Sequence, residues 1–192
     1  MKKSMISNSL ALVAITLSLL NPVEAKSSED KNTIEACAFL SEAILVTYGL
    51  RYSYLGITDE SQLKDVDIQN IDKQQFFKDN IGTILMQGSV FRLYKEGVCQ
   101  TRHNLDEHMI DVFDKAILVS KNIKKGLYSK CQLSIRFPFL LDHYKSWTTQ
   151  EVKTDDILLG LRGSLNVYVH EGCGTISDYK KELKKMKFEL MK

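Results

Sequence analysis

Apolar residues recur at three- and four-residue spacing along most of the chain, which is the pattern of amphipathic α-helices. The first such segment covers residues 32–55, and its apolar stripe is wide enough to predict a central helix buried on much of its surface. The polar stretch 56–70 predicts a connecting loop. A second helix is predicted over 72–96, with Gly82 and Gly88 as points at which it breaks in two.

The third helix, over 104–125, has consistent signals at both ends. Asn104 is suited to cap it, acidic residues follow in the first turn, and Gly126 comes directly after the last lysines. Further helical patterns follow over 138–147, from residue 154 onward, and from Thr175 to the C-terminal end. The predicted fold is therefore mostly α, a single compact domain of five or six helices stapled by two disulfides.

Residues 131–137 fit two patterns. Their alternation is typical of a strand, yet their apolar members also recur at helical spacing into the following helix. Residues 165–171 carry a similar ambiguity. The alternative fold is therefore α+β, with a small antiparallel hairpin formed by 131–137 and 165–171, in which Cys131 would face Cys173.

The N-terminal segment has the features of a bacterial secretory signal peptide. Lys2 and Lys3 precede an apolar stretch over 10–20, and small residues at Val23 and Ala25 suit a cleavage site. Residues 1–25 are therefore predicted to be removed, leaving 26–192 as one helical domain that is periplasmic or secreted. No later stretch is expected to be apolar enough to span a membrane.

Four cysteines lie beyond the predicted cleavage site: Cys37, Cys99, Cys131 and Cys173. An even number in an exported chain predicts two structural disulfides, for which three connectivities exist. Their spacing contains no CxxC pair and is too scattered for a zinc site, so neither a redox motif nor a metal centre is predicted.

A similarity between two segments of the chain constrains the disulfide pairing. Residues 88–99 resemble 163–173, and each block precedes a predicted helix. This similarity raises the hypothesis of a weak duplication covering 72–125 and 155–192. Under that hypothesis Cys99 and Cys173 are equivalent and bond separately, to Cys37 and Cys131 in either order.

Composition and charge exclude several classes of protein. A content of 44% hydrophobic and 26% charged residues is that of a folded domain. Lys+Arg 26 against Asp+Glu 24 gives a net charge of +2, too balanced for a chain built to hold nucleic acid. No nucleic-acid partner is therefore predicted.

Motifs that would indicate catalysis are absent from the sequence. His103, Asp106, Glu107, His108 and Asp111 match no zinc motif and are better explained as an acid-rich helix start. Ser164 lacks the GxSxG frame of a serine hydrolase. We therefore predict no catalytic residue, no metal and no cofactor.

The last helix is amphipathic and basic, so it is a candidate contact for an anionic membrane surface or an acidic partner. The lysines that form this candidate site are Lys180, Lys181, Lys184, Lys185 and Lys187.

Three functions follow, from different classes. The first is an exported, non-enzymatic binding protein that acts by protein–protein contact, such as a periplasmic inhibitor or immunity protein. The second is a secreted effector that engages host proteins or anionic membranes through its basic C-terminal helix. The third is a small hydrolase whose histidine and carboxylate meet only in the folded chain.

Overall fold

The computed structural model describes the backbone of residues 28–63, 73–97, 99, 105–148 and 151–190, and the side chains of 32–63, 80–97, 99, 111–148 and 151–185. Within these residues it contains six α-helices and no strand. The helices are α1 Ser28–Tyr54, α2 Lys73–Glu96, α3 Leu105–Lys124, α4 Lys130–Trp147, α5 Thr154–His170 and α6 Ile176–Leu190, with a short 3-10 helix, Glu60–Leu63, after α1. The mostly helical prediction is confirmed, whereas the predicted signal peptide lies outside the described residues.

The central position predicted for the first helix is confirmed. α1 packs against α2, α3 and α4, while α5 packs on α2 and α4. Among the side chains that are almost fully buried are Tyr144, Phe137, Leu40, Leu50, Met86, Leu140, Leu141 and Val90. α1 begins at Ser28, before the predicted start, and ends one residue before the predicted end.

One segment of α1, Asn32–Tyr54, is long and apolar enough to meet the length and composition criteria of a membrane-spanning helix. The prediction that no stretch after the signal peptide is apolar enough to span a membrane was therefore wrong by the criteria of length and composition. More than half of this segment is buried inside the protein, and a core helix meets the same criteria.

The alternative α+β fold is not supported. Residues 131–137 belong to α4, which continues through Pro138, and residues 165–170 belong to α5. Helical spacing decides the ambiguity, because it places Leu133, Phe137 and Tyr144 together in the core. The Ser129 hydroxyl caps this helix by accepting a hydrogen bond from the Cys131 backbone N–H at 3.2 Å.

The predicted break in the second helix is also wrong. α2 runs without interruption through Gly82 and Gly88. A Cβ atom on Gly82 would lie only 2.8 Å from the carbonyl oxygen of Gly163 on α5. The missing side chain therefore permits close packing of two helices, and this packing outweighs the poor helix propensity of glycine.

Both predicted disulfides are present, and their connectivity is now defined. Cys37 in α1 bonds to Cys99 after α2, with a Cα–Cα distance of 5.4 Å. Cys131 in α4 bonds to Cys173 after α5, with a Cα–Cα distance of 5.6 Å. Cys99 and Cys173 thus bond separately, as the duplication hypothesis requires, and Cys131 faces Cys173 without a hairpin.

Sequence signals within the described residues account for the C-terminal end of α3 and for the start of α6. Gly126, which follows α3, has a φ of +72°, a left-handed conformation that favours glycine. Before α6, the Thr175 backbone N–H donates to Asp178 at 3.0 Å, and the Asp178 N–H donates back to the Thr175 hydroxyl at 3.3 Å. These two reciprocal hydrogen bonds form a capping box.

We expect Gly163→Ala and Gly88→Ala to change stability in opposite directions. A Cβ atom on Gly163 would lie 2.5 Å from the Gly82 carbonyl oxygen, so Gly163→Ala should destabilise the fold by about 1–3 kcal/mol. A Cβ atom on Gly88 would make an ordinary 3.5 Å contact with Leu159, so Gly88→Ala should stabilise the helix by about 0.5–1 kcal/mol. Urea unfolding measures both changes, and equal effects would contradict the close packing.

The two disulfides should open in sequence on mild reduction. Cys37 and Cys99 are buried, whereas Cys131 and Cys173 are partly exposed. A reductant therefore reaches the second bridge first. Stepwise reduction, alkylation and mass spectrometry should find Cys131 and Cys173 labelled before the others. Labelling of all four cysteines in one step would contradict this order.

Candidate functional site

Small residues fill the contact between α2 and α5. Gly160 lies so close to α2 that a Cβ atom there would be 2.7 Å from the Ser89 hydroxyl oxygen. Ser89 in turn donates a hydrogen bond to the Asp156 backbone carbonyl at 2.6 Å. The buried positions of α5 are Asp156, Gly160, Gly163, Ser164, Val167 and Tyr168, with only two large side chains among them.

Because small residues occupy much of the inside of α5, some of its large apolar residues lie outside. The side chains of Leu158 and Val169 are 42% and 47% exposed, and Leu159 is half-buried beside Gly88. Val167 and Tyr168 remain buried, so α5 carries apolar side chains on both its inner and its outer side, whereas an ordinary surface helix turns such residues inward.

The outer side of α2 continues this apolar surface. Phe91 is 43% exposed, while Ile84 and Leu85 are partly exposed. Together with Gly88, positions 84, 85 and 91 follow three- and four-residue spacing, which places them on the outer side of the helix beside α5. We define the α2–α5 face as Ile84, Leu85, Gly88, Phe91, Arg92, Leu158, Leu159 and Arg162.

Two exposed arginines bring positive charge to the α2–α5 face. Arg92 lies 3.3 Å from the carboxylate of Asp156, whose side chain is only 6% exposed, so this arginine is held in place. Arg162 is exposed, and no ion pair is formed by it within the part of the chain described. At the end of α2, the Lys153 ammonium lies 2.6 Å from Glu96 and lowers the pKa of that carboxyl.

Aromatic rings support the Phe91 edge of the face. The Tyr48 ring of α1 lies 6.3 Å from the Phe91 ring and 5.0 Å from the Phe113 ring, both in edge-on contact. Burial raises the pKa of Tyr48. Below them Arg51 donates a 2.7 Å hydrogen bond to Gln87. Phe91 is therefore exposed on one side and supported by the Tyr48 ring on the other.

The predicted lysine site is found on the outer surface of α6. Its exposed members are Lys180, Lys181, Lys184 and Lys185, whereas the side chain of Lys187 lies outside the described residues. The opposite side of α6 packs onto the domain through Tyr179, which is 5% exposed, and through Leu183.

A buried hydroxyl pair attaches α6 to the core. The Ser164 hydroxyl donates to the Ser134 backbone carbonyl, so it accepts from the Tyr179 hydroxyl, whose oxygen lies 2.8 Å away. Burial is the main cause that raises the pKa of Tyr179 to about 12. Ser164 therefore has a structural role between three helices.

The candidate metal cluster of the sequence lies mostly outside the described side chains, which exclude those of His103, Asp106, Glu107 and His108. Its described member, Asp111, is exposed and forms an ion pair with Lys115. The described side chains include no group of three or more metal-ligating residues. His143 stacks on Phe39, with ring centroids 4.8 Å apart, and contacts Phe139 edge-on at 4.1 Å.

The α2–α5 face was not predicted from the sequence, because the candidate sites were defined there by charge and by catalytic motifs. A signal was nevertheless present. Gly160, Gly163 and Ser164 share one side of a helix that carries Leu158 and Leu165 on another. Small residues at three- and four-residue spacing indicate close helix packing, and Leu158 is then left on the outer side.

We expect Tyr179 to titrate well above pH 10 and α6 to loosen as it does. The folded pKa of about 12 exceeds the ordinary tyrosine pKa of 10.0. Stability from this contact is therefore fully present below about pH 10 and is lost as the pH rises through 12, because the phenolate cannot donate to Ser164. The ultraviolet difference titration between the wild type and Tyr179→Phe isolates this group. A midpoint near 10 would contradict the buried bond.

No family model, curated protein or solved structure matches the chain. The geometry of the described residues is therefore the basis for a functional proposal.

Proposed function

We propose that this protein is an exported, non-enzymatic binding protein of the bacterial cell envelope that acts by protein–protein contact, as an inhibitor or an immunity protein does. The observation that carries the proposal is the α2–α5 face, where large apolar side chains point outward from two closely packed helices. Contiguous exposed apolar surface on a folded domain is typical of an interaction site.

The residue types of the face support binding to a protein. Phe91 and Leu158 are exposed apolar anchors, and Arg92 and Arg162 flank them. Aromatic residues and arginine dominate the energetics of protein interfaces because they bury a large area and make directional polar contacts. None of these four residues would need to act as a catalyst. Binding would by itself produce the protein's effect on its partner.

The rigidity of the surface also favours binding. Phe91 is supported by the Tyr48 ring, and Arg92 is held by the buried Asp156 carboxylate. Side chains that are already ordered lose less conformational entropy when a partner docks. A small protein that occludes another protein's active site benefits from such preorganisation.

The chemistry of the face defines the partner that would fit it. An apolar side chain would cover Leu158 and Leu159, and a carboxylate beside it would pair with Arg162. We therefore propose a protein partner that presents an apolar residue next to an aspartate or glutamate. Burial of the ion pair at the edge of the contact would fix the register of the complex.

Export is part of the proposal, and two features support it. The N-terminal sequence has the charge and apolar pattern of a signal peptide, and both cysteine pairs lie at disulfide distance. Disulfides persist in oxidising compartments such as the periplasm. The protein would meet its partner there or outside the cell.

The membrane-binding alternative has less support. The apolar stripe of α6 that would enter a lipid surface is used for packing through Tyr179 and Leu183. The lysines are left to act by charge alone, which gives weak and salt-sensitive attachment. The α2–α5 face offers both apolar area and charge, so it is the better candidate.

Site-specific photocrosslinking in the producing cell tests the proposal. A photoreactive phenylalanine analogue in place of Leu158 should give a discrete crosslinked protein, to be identified by mass spectrometry. The same analogue at Leu118, which is 53% exposed on α3 outside the face, is the matched control. No crosslinked protein at 158, or equal capture at 118, would contradict a binding role for this face.

Affinity measurements on the captured partner test whether Phe91 and Arg162 contribute most of the binding energy. Phe91→Ala and Arg162→Glu should each weaken binding about tenfold or more, since truncation of an interface anchor costs about 2 kcal/mol. Leu118→Ala should leave the affinity unchanged. Circular dichroism would verify that all three variants are folded. Equal affinity for the Phe91 and Leu118 variants would exclude Phe91 as an anchor.

A further inference from the structure

We infer that the described helices are two copies of one three-helix unit, α1–α3 and α4–α6, packed about a pseudo-two-fold axis and joined by residues 125–129. The inference does not depend on the proposed function. Each disulfide connects the first helix of a unit to a cysteine three residues beyond the second helix: α2 ends at Glu96 before Cys99, and α5 ends at His170 before Cys173.

The disulfides also set the register of the two first helices. Adding 94, the difference between 131 and 37, superimposes Cys37 on Cys131. With the same offset, Tyr54 at the end of α1 falls on Thr148, the C-cap of α4. The first helices therefore end within one residue of each other, so the duplicated unit includes α1 and α4. The sequence similarity between 88–99 and 163–173 does not extend to these two helices.

The second helices agree position by position. Adding 74, the difference between 173 and 99, superimposes the ends of α2 and α5. All six buried positions of α5 then fall on buried positions of α2. The pairs are Gly82 with Asp156, Met86 with Gly160, Ser89 with Gly163, Val90 with Ser164, Leu93 with Val167 and Tyr94 with Tyr168.

Contacts between α2 and α5 are reciprocal, as a two-fold interface requires. If position i of one copy touches position j of the other, then j of the first copy must touch i of the second. A Cβ atom on Gly82 would lie 2.8 Å from the Gly163 oxygen. The equivalent pair is Ser89 and Asp156, which are joined by a 2.6 Å hydrogen bond.

A second pair of contacts obeys the same rule. A Cβ atom on Gly163 would lie 2.7 Å from the Met86 backbone nitrogen. The equivalent contact joins Gly160 and Ser89, where a Cβ atom on the glycine would lie 2.7 Å from the serine hydroxyl oxygen. Two independent reciprocal pairs fix both the antiparallel crossing of the helices and its centre.

An ion pair between the first helices lies on the axis itself. Glu42 and Arg136 each follow the cysteine of their own helix by five positions, so they are equivalent residues. Arg136 donates to the Glu42 carboxylate, and both side chains are largely buried. Contact between equivalent positions occurs only where a two-fold axis passes between them.

The same axis passes through the α2–α5 face. Ile84 is equivalent to Leu158, and Leu85 is equivalent to Leu159. The exposed apolar area therefore consists of two corresponding halves, one from each unit. The surface would depend on how the two units dock, as the surface across a dimer interface does.

Exchange of the two residues on the axis tests the inference. Each single reversal, Glu42→Arg or Arg136→Glu, leaves two like charges buried together and should lower the melting temperature by about 10 °C or prevent folding. The double exchange E42R/R136E should recover more than half of that loss, because a two-fold axis makes the surroundings of the two positions alike.

A second exchange serves as the control. Lys130 and Glu171 lie 3.2 Å apart within one unit at non-equivalent positions, and the lysine ammonium also lies 4.0 Å from the centre of the Tyr54 ring. The exchange K130E/E171K should therefore recover little of the loss caused by its single variants. Failure of E42R/R136E to fold, or equal recovery at both pairs, would overturn the inference.

Discussion

The close approach of α2 and α5 determines most of what this molecule presents to its surroundings. The backbones touch because Gly82 and Gly163 carry no side chain, and a Cβ atom on either would lie under 3.0 Å from the other's carbonyl oxygen. Helices at this separation cannot place leucines between them. Large apolar residues of α5 such as Leu158, which is 42% exposed, are therefore left on the outer side. One steric constraint thus stabilises the core and leaves an apolar surface outside it.

Local sequence signals predicted the helices where all of them agreed, and failed where packing decided. The end of α3 was predictable from lysines followed by Gly126, and the start of α6 from Thr175 and Asp178, since these signals act within one turn. Residues 131–137 were ambiguous because only the core shows which spacing is buried. The predicted break at Gly82 was wrong because packing on α5 stabilises a glycine that an isolated helix would tolerate poorly.

The candidate surface was harder to predict than the fold because its meaning depends on which side of a helix faces inward. Leu158 and Leu165 form part of the apolar stripe of α5, and a stripe normally marks the core. Only the partner helix reveals that Gly160 and Gly163 take the inner positions. The lysines of α6 were predictable, since long charged side chains remain in solvent whatever the fold. Residues that could belong to either environment are the ones for which sequence patterns are insufficient.

The placement of the disulfides distinguishes the interactions that stabilise each proposed unit from those that hold the two units together. Cys37–Cys99 and Cys131–Cys173 each close a loop within one unit, and neither joins the units to each other. By loop entropy each closure stabilises the folded chain by about 4 kcal/mol, but it does so inside its own half. Docking of the halves rests instead on the glycine contact, the Ser89 hydrogen bond and the Glu42–Arg136 ion pair. A partner that binds across the α2–α5 face would add contacts to both halves and would therefore stabilise the docked arrangement.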